Sequence, residues 1–303
     1  MSHSARSAAR LRAAAIQLAV GPNVAENIVR AGKLIDLAAS EGARFVALPE
    51  CFTGKYGVEH FATYAESVPA DSTCADRAGS GGAAMMAGRA RRHGITVTGG
   101  VIERAADGVT LFNAMPIYSS DGTLASTYRK VHLSRVLGIT SEADVLTAGE
   151  PNVTIRCAVD GEQAPAGGAA AAADPLLVGM ACCFDLRFPR WLARYGPRRV
   201  EDGPPPVDVL CAPSAFLDVT GGPHWELLLR RTALDGQCFV VAPNVAHNEA
   251  DALPLHGRSM IVDPWGSVLA SCAQAGDQIV YADLEAVRVD EVRAKLPLAR
   301  WDE

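Results

Sequence analysis

Glu50, Lys130 and Cys183 each stand where a short, strand-like run of the sequence ends. A cysteine nucleophile needs a base or a nearby charge to form its thiolate, because a thiol with a pKa of ~8.5 is only slightly ionised at neutral pH. It also needs hydrogen-bond donors for the developing oxyanion and a group that protonates the leaving nitrogen. The three residue types could supply this help, so they predict acyl chemistry that depends on a thiol.

Each of these residues also has an ordinary structural explanation when it is taken alone. Glu50 could end a strand at the rim of a sheet, and Lys130 could lie on a solvated strand edge. Cys183 is more specific, because an apolar strand breaks there into a turn and a helix start, as at other strand-to-helix nucleophile elbows. Neighbouring strand residues point to opposite faces, so we expect Cys182 to pack as a hydrophobe and Cys183 to face the cleft.

The elements that must position these residues alternate between β and α patterns. Asn23 followed by Glu26 predicts a helix N-terminus, and Gly94 predicts the end of a helix over 83–93. A third helix is predicted over 225–234. Strands are predicted at 11–18, 44–48, 95–102, 113–118, 123–130, 176–181, 207–212, 238–242, 259–262 and 267–270. The mixture of βα units and hairpins predicts an α/β fold with mixed sheets covered by helices.

The chain reads as a single domain with few interruptions. We expect a flexible N-terminal tail over 1–10 and one domain over 11–303. The low-complexity segment 161–174 contains a proline and two glycines ahead of its alanines, which favours a surface loop over a helix. The proline-rich stretch 198–206 is predicted to be a second polar loop, because strand patterns resume directly after it.

Composition excludes several function classes for this chain. The 303 residues carry a formal net charge of −6, which gives no electrostatic footprint for nucleic acid or an anionic membrane. No apolar run is long enough to cross a bilayer. The eight cysteines form no C-x-x-C pair and no metal-ligand spacing with histidine, so we expect no metal or cofactor and reduced thiols in the cytoplasm. Three arginines within residues 1–12 leave mitochondrial import open.

Taken together and in order, the motifs resemble one family. Leu-Pro-Glu50, Tyr-Arg-Lys130 and Cys183-Phe-Asp-Leu-Arg-Phe-Pro are similar to the Glu-Lys-Cys constellation of the nitrilase superfamily of carbon–nitrogen hydrolases, and the likeness runs from 12 to about 297. The resemblance implies a four-layer α-β-β-α sandwich with mixed sheets. It also implies a homodimer or larger homo-oligomer, with the helices near Phe188 and Trp225 contributing to the contact.

The resemblance implies a role for each motif residue. Cys183 is the nucleophile, because the family pattern places it directly before an aromatic residue and an aspartate. Glu50 acts as general base, and Lys130 stabilises the tetrahedral intermediate together with the backbone N–H of Phe184. Glu142 matches a second glutamate that positions the lysine and the substrate. A lysine close to two glutamates stays charged, and a cation near a thiol is expected to lower the pKa of that thiol.

Two branches of the superfamily share features with this chain. Residues 50–57 and 64–66 are similar to the omega-amidase branch, which hydrolyses the terminal amide of 2-oxoglutaramate and 2-oxosuccinamate. Residues 213–216 and 237–241 are equally similar to the branch that acts on deaminated glutathione. The segment after His132 departs from both patterns. We therefore expect an amidase for a small carboxylate-bearing amide, with a deaminated glutathione amidase or a nitrilase as alternatives.

Two residues are candidates for binding the substrate. Tyr56 lies in the stretch that is similar to the omega-amidases. Arg187 follows the nucleophile and offers a bidentate fork for a carboxylate, although a structural ion pair with Asp185 would explain it equally well. A non-enzymatic scaffold is disfavoured because all three motif residues are present. A metal hydrolase is disfavoured because the seven histidines are scattered without ligand spacing.

Overall fold

The computed structural model describes residues 9–74, 81–136, 140–150, 154–157, 175–197 and 205–298. Its strands are β1 (Arg10–Gln17), β2 (Phe45–Ala47), β3 (Thr96–Thr98), β4 (Val101–Arg104), β5 (Leu111–Tyr118), β6 (Leu124–Arg129), β7 (Arg135–Val136), β8 (Thr140–Ser141), β9 (Thr154–Cys157), β10 (Leu176–Met180), β11 (Val209–Cys211), β12 (Phe239–Ala242), β13 (Met260–Val262), β14 (Val268–Ser271) and β15 (Gln278–Glu285). Its α-helices are α1 (Val24–Ser40), α2 (Val58–Tyr64), α3 (Gly82–His93), α4 (Pro189–Leu192), α5 (Asp218–Gly236) and α6 (Ala286–Lys295).

Two mixed sheets form the centre of the molecule. The first has the order β15-β1-β2-β3-β5-β4, with β6 also paired to β5. The second has the order β14-β13-β12-β11-β10-β9. Both contain a parallel core, β1-β2-β3 in one and β10-β11-β12 in the other, flanked by antiparallel strands. This arrangement confirms the predicted mixed sheets.

Alternation along the strands explains why the sheets stack. On β1, Leu11, Ala13 and Ala15 join a core cluster that contains residues of β10, β11 and β12, so this face packs against the second sheet. Ala14 and Ile16 instead join a cluster with residues of α1 and α3. Residues of α5 join the first of these clusters together with β12 and β13. The order helices, sheet, sheet, helices confirms the predicted four-layer α-β-β-α sandwich in a single domain.

The predicted helix signals are confirmed at α1 and α3. The Asn23 side chain accepts a hydrogen bond from the backbone N–H of Glu26 and caps α1. Gly94 ends α3 in the left-handed conformation, with φ of 63°. These local signals succeed because a cap depends on residues within one turn of it.

Two predicted elements differ in extent. The single strand expected over 95–102 is split into β3 and β4, because a Cβ on Gly100 would lie 2.5 Å from the Cα of Glu50 and the chain must bend around that residue. Helix α5 begins at Asp218 and not at Trp225, and it contains Pro223. Gly221 inside α5 packs on His256, where a Cβ would lie 2.2 Å from the ring, so this glycine serves packing and does not break the helix.

Some predictions fall outside the described residues. The segment 161–174 and most of the loop 198–206 lie outside them, as do residues 1–8 of the predicted tail. Strand β1 begins at Arg10, next to the predicted boundary of that tail. The seven cysteines with described side chains are unpaired and buried. The predicted compartment stays a prediction.

No helix in the described part of the chain is both long and apolar enough to span a membrane.

Candidate active site

Glu50 lies in a turn that follows β2 and is fully buried. Two backbone hydrogen bonds tie this turn to Gly100, whose N–H donates to Pro49 and whose carbonyl accepts from Phe52. The missing side chain of Gly100 allows this close approach. The break between β3 and β4 therefore serves to hold Glu50 at the edge of the first sheet.

Lys130 directly follows β6, and its ammonium group lies between two carboxylates. Its Nζ is 2.8 Å from Oε1 of Glu50 and 2.8 Å from Oε2 of Glu142. All three side chains are fully buried. Glu142 lies in a short 3-10 turn and accepts hydrogen bonds from the backbone N–H of Ser134 at 2.6 Å and from the hydroxyl of Tyr56 at 3.1 Å. The structure thus brings Glu50, Lys130, Glu142 and Tyr56 into one cluster, which we call the ion cluster.

Asn113 also belongs to the ion cluster, and the sequence analysis did not single it out. Its Nδ2 donates to Oε1 of Glu50 at 2.7 Å and to Oε1 of Glu142 at 3.2 Å. It lies on β5, beside β6 and fully buried. A polar residue within an apolar strand was the available signal, because a buried amide must find partners.

Cys183 begins a 3-10 turn that spans Cys183–Arg187 directly after β10. Its φ is 43°, a left-handed conformation that costs energy for a residue with a side chain and is often found at functional sites. Its N–H donates to the carbonyl of Pro213. The side chain is 7% exposed, whereas Cys182 is inaccessible. The predicted elbow is therefore present, and Cys183 is the cysteine of the two that solvent reaches.

Cys182 packs in the hydrophobic core, as predicted, but it also makes polar contacts that the sequence analysis did not foresee. Its Sγ donates to Oε1 of Glu50 at 3.1 Å, and its backbone N–H donates to Oδ2 of Asp185. The strand rule predicted the opposite faces of the two cysteines from regular β geometry. The chain leaves that geometry at the elbow, so both side chains lie close to Glu50.

Asp185 anchors the turn that carries Cys183. This buried carboxylate accepts hydrogen bonds from the Tyr128 hydroxyl at 2.5 Å and the Cys182 N–H at 2.8 Å, and it also binds the backbone N–H and the ring of His132. The His132 ring stacks on Phe188, with the centroids 3.7 Å apart. These contacts occupy both oxygens of the Asp185 carboxylate, so the alternative of an ion pair between Asp185 and Arg187 is wrong.

Arg187 is half-buried and lies on the aromatic wall of the site. Its Nη1 is 3.2 Å from Nδ1 of His224, and its guanidinium lies over the rings of Phe184 and Phe216. Within the described residues Arg187 has no carboxylate partner, and it ends the same short 3-10 turn that Cys183 begins. We call Arg187, His224, Phe184 and Phe216 the arginine wall. Burial lowers the pKa of Arg187, because a charged guanidinium is less well solvated there.

The charges of the ion cluster set the protonation states. Burial raises the pKa of Glu50, but Lys130 and the hydrogen bonds from Cys182 and Asn113 lower it more, so the net pKa is lowered. Burial keeps the pKa of Glu142 above its usual value. Burial acts to lower the pKa of Lys130, but the two glutamates outweigh it and raise the pKa well above the usual value. Glu50 and Lys130 are therefore charged together.

The thiol of Cys183 is neutral in this environment. Burial raises its pKa, Glu50 raises it further, and the opposing effects of Lys130 and the Ala215 N–H are smaller. Lys130 lowers the pKa of the thiol, as expected, but burial and Glu50 raise it by more, so the net pKa is raised. A neutral thiol beside an ionised carboxylate needs the carboxylate as a base.

Two cavities lie near these elements. A cavity of about 80 Å³ reaches Tyr56 and is lined in part by His60, Leu253 and the ion pair of Lys55 with Asp251. A larger cavity of about 260 Å³ lies between α4 and α5 and includes none of the residues of the ion cluster. The candidate active site is therefore identified by the ionisable residues that cluster there and not by the size of a cavity. Within the described residues no group of three His, Cys, Asp or Glu side chains is placed to hold a metal ion.

The sequence also matches a known family over nearly its whole length. The model of the family described as carbon-nitrogen hydrolase matches residues 12–294. The chain belongs to the carbon–nitrogen hydrolase family. It is a hydrolase that acts on carbon–nitrogen bonds, which confirms the predicted enzyme class.

Relatives of this hydrolase come from several organisms. The omega-amidase NIT2 of Xenopus tropicalis is 33% identical over 293 residues, which cover 96% of this chain and 95% of that protein. The omega-amidase NIT2 of Homo sapiens is 32% identical over 293 residues, which cover 95% of this chain and 94% of that protein. Among solved structures, Nit3 of Saccharomyces cerevisiae, from branch 10 of the nitrilase superfamily, aligns with a TM-score of 0.77 and 27% identity over 98% of both chains. These relatives confirm the predicted superfamily and fold.

Proposed function

We propose that this hydrolase is an omega-amidase-like enzyme that cleaves the terminal amide of a small dicarboxylate monoamide, such as 2-oxoglutaramate, and releases ammonia. The observation that carries the proposal is Arg187, a half-buried cation in the same 3-10 turn as Cys183 that has no carboxylate partner among the described residues. The similarity to omega-amidases over 96% of the chain supports the same substrate class.

Attack on the amide begins with the neutral thiol of Cys183. Glu50 takes the thiol proton while the sulfur bonds to the amide carbon, and the carbonyl electron pair moves to oxygen. Lys130 supplies the positive charge that stabilises this oxyanion. The N–H of Phe184 lies in the first turn of its short helix, where backbone donors have no acceptor within the helix, and it donates to the same oxygen.

Collapse of the tetrahedral intermediate releases ammonia and leaves a thioester. The oxyanion reforms the carbonyl, the carbon–nitrogen bond breaks, and the leaving nitrogen takes the proton that Glu50 holds. A water molecule then gives a proton to Glu50 and adds its oxygen to the thioester carbon. The carbon–sulfur bond breaks and Cys183 recovers a proton from Glu50, so the second half-reaction returns every group to its starting state.

Arg187 fits the other end of the substrate. A carboxylate that leaves water for a half-buried site needs a cationic partner, or the cost of desolvation prevents binding. The rings of Phe184 and Phe216 flank the guanidinium, which fixes its plane for a carboxylate. The Tyr56 hydroxyl donates to Glu142 in the ion cluster, so we assign Tyr56 to the reacting end of the substrate.

The test compares acidic and neutral substrates in variants of Arg187. With 2-oxoglutaramate, Arg187→Gln should raise KM by roughly tenfold or more, because a charge-assisted hydrogen bond contributes about 1.5–3 kcal/mol. With a neutral amide of similar length, the same substitution should leave KM nearly unchanged. Arg190→Gln, one helix turn away and exposed, is the matched control.

Other substrates decide between the proposal and its alternatives. Deaminated glutathione, N-carbamoyl-β-alanine and a simple nitrile should be poorer substrates than 2-oxoglutaramate by kcat/KM. If neutral amides or nitriles turn over better than acidic amides, the omega-amidase assignment is wrong while the roles of Glu50, Lys130 and Cys183 stand.

We also propose that the enzyme is a homodimer that uses α5. Leu227 and Leu234 lie two turns apart on this helix and are 66% and 46% exposed, and Trp265 beside them is 46% exposed. Exposed apolar side chains of this size are typical of a contact surface. Leu227→Glu should convert a dimer to a monomer in light scattering after size exclusion, whereas Val109→Glu, at an exposed apolar residue outside α5, should not. A wild-type monomer at micromolar concentration contradicts the proposal.

A further inference from the structure

The two oxygens of the Glu50 carboxylate are occupied unequally. Oε1 accepts from Lys130 at 2.8 Å, from Asn113 at 2.7 Å and from the thiol of Cys182 at 3.1 Å. Oε2 accepts only from the backbone N–H of Ala215, at 2.6 Å, among the described residues. A carboxylate oxygen offers about two lone pairs, so three donors saturate Oε1.

The position of Ala215 relates one oxygen of the Glu50 carboxylate to the nucleophile. Its N–H donates to Oε2 of Glu50, and the same N–H lowers the pKa of the Cys183 thiol through a hydrogen bond. Oε2 is therefore the oxygen of Glu50 that lies on the side of Ala215 and Cys183. With a single donor, Oε2 retains a lone pair that can accept a proton, while Oε1 is held by Lys130 and Asn113.

The thiol of Cys182 is suited to remain a hydrogen-bond donor to Glu50. It is completely inaccessible, and its sulfur has Glu50 as its hydrogen-bond acceptor. Burial raises the pKa of Cys182 well above the usual value, and Glu50 raises it further, so the thiol keeps its proton. A thiol that stays protonated and inaccessible donates to Glu50 and does not compete with Cys183 as a nucleophile.

We propose that Cys182 is a positioning residue, whose thiol holds Oε1 of Glu50 so that Oε2 is the atom that accepts the proton from Cys183. This inference rests on the proposed function, because it takes Cys183 as the nucleophile. It assigns the adjacent cysteines two different tasks, one as a hydrogen-bond donor to the base and one as the group that attacks.

Loss of this donor has a consequence that simple packing would not produce. Without the thiol, the ionised form of Glu50 loses one of its stabilising hydrogen bonds, and its pKa rises. The base is then protonated at a higher pH, so the acid limb of the kcat/KM profile moves toward neutral pH. A cavity at this position would lower stability without moving that limb.

The experiment uses four variants of the full chain and two readouts. Cys182→Ala removes the donor, Cys182→Ser keeps a donor, and Cys182→Val fills the space without a donor. Cys211→Ala is the matched control, because Cys211 is an equally buried cysteine on the neighbouring strand β11 and has no bond to Glu50. The readouts are the pH profile of kcat/KM with 2-oxoglutaramate and the pH dependence of Cys183 alkylation by iodoacetamide, followed by mass spectrometry.

We expect Cys182→Ala and Cys182→Val to move the acid limb upward by about half to one pH unit and to lower kcat several-fold at neutral pH, with little change in KM. Cys182→Ser should restore the limb to within a few tenths of a unit. Either apolar variant suffices if the other fails to fold by circular dichroism. The proposal is overturned if the pH profiles of the apolar variants superpose on the profile of Cys211→Ala. It is also overturned if the acid limb of Cys182→Ser shifts as far as that of Cys182→Ala.

The alkylation readout separates this inference from the substrate assignment. If 2-oxoglutaramate is a poor substrate but the alkylation profile shifts as expected, the omega-amidase assignment fails and the role of Cys182 stands. If Cys183→Ala retains turnover, the proposed function fails at its nucleophile and the role of Cys182 fails with it. An unshifted alkylation profile in an active omega-amidase removes the role of Cys182 alone.

Discussion

The ion cluster and the arginine wall flank the same cysteine but differ in how their charges are balanced. In the ion cluster, Lys130 lies within 3.0 Å of two carboxylates, and Asn113 donates to both of them. In the arginine wall, Arg187 contacts a histidine nitrogen and two aromatic rings but no carboxylate among the described residues. The charges of the ion cluster are paired with one another in the free enzyme, whereas the positive charge of Arg187 is paired with no carboxylate among those residues.

This difference indicates that the two regions have different roles in the active site. Groups that move protons must already be in place, because reorganisation during the reaction would add to the barrier. A group that binds substrate is better left unpaired, because a carboxylate of the protein would compete with the carboxylate of the substrate. Substitutions in the ion cluster should therefore affect kcat and stability, and substitutions in the arginine wall should affect KM.

The largest expected effect is on turnover. Cys183→Ala should lower kcat by at least about 10³-fold, because it removes the group that forms the covalent intermediate, and the folded structure should remain by circular dichroism. Steady-state ammonia release measures this loss, with Cys211→Ala as an active control. If Cys183→Ala is active and Cys182→Ala is dead, the assignment of the nucleophile is shifted by one residue.

A large effect on stability is expected at the centre of the ion cluster. Lys130→Met leaves two fully buried carboxylates without their cation and should lower the free energy of unfolding by about 3–5 kcal/mol. Urea unfolding measures the loss. Arg230→Met removes the cation of an exposed pair with Glu226 and should cost at most about 1 kcal/mol. Equal losses in the two variants would contradict the distinction between a buried network and a surface pair.

A much smaller effect on stability is expected in the arginine wall. Arg187→Met removes a half-buried charge that has no carboxylate partner in the described part of the chain, so no described anion loses its cation. The free energy of unfolding should change by less than about 1 kcal/mol in urea, in contrast to Lys130→Met. A loss as large as that of Lys130→Met would mean that Arg187 is a structural residue and would remove the contrast between the two regions.

A pH-dependent effect on stability tests a carboxylate outside both regions. Glu66 accepts hydrogen bonds from the backbone N–H groups of Gly82 and Ala83 at the start of α3, yet burial raises its pKa from 4.5 to about 7. A raised pKa in the folded state means that the contribution to stability is full below pH 4.5 and is lost as the pH rises to about 7.

Glu66→Gln should therefore remove part of the pH dependence of unfolding. The difference in free energy of unfolding between wild type and variant should change by about 2–3 kcal/mol between pH 4.5 and 7. Urea unfolding at several pH values measures it, and the exposed Glu59→Gln provides the control. Parallel curves for wild type and Glu66→Gln would show that burial does not raise this pKa.

Local patterns in the sequence predicted most of the fold. Capping at Asn23 and Gly94 and the strand ends at Glu50 and Lys130 are each encoded within a few residues, so they could be predicted without knowledge of distant contacts. The split between β3 and β4 could not, because it depends on the close approach of Gly100 to Glu50, which are far apart in sequence.

The sequence by itself determined which residue types could attack, accept a proton and carry charge, because ordered motifs specify side chains and strand ends. Only the tertiary structure decided their states. It placed Asn113 between two carboxylates and Tyr128 within hydrogen-bond distance of Asp185, and it left Arg187 without an anionic partner among the described residues. It also turned Cys182 toward Glu50 and kept the Cys183 thiol neutral. Burial and the distances between charges set these states, and both arise only when segments remote in sequence pack together.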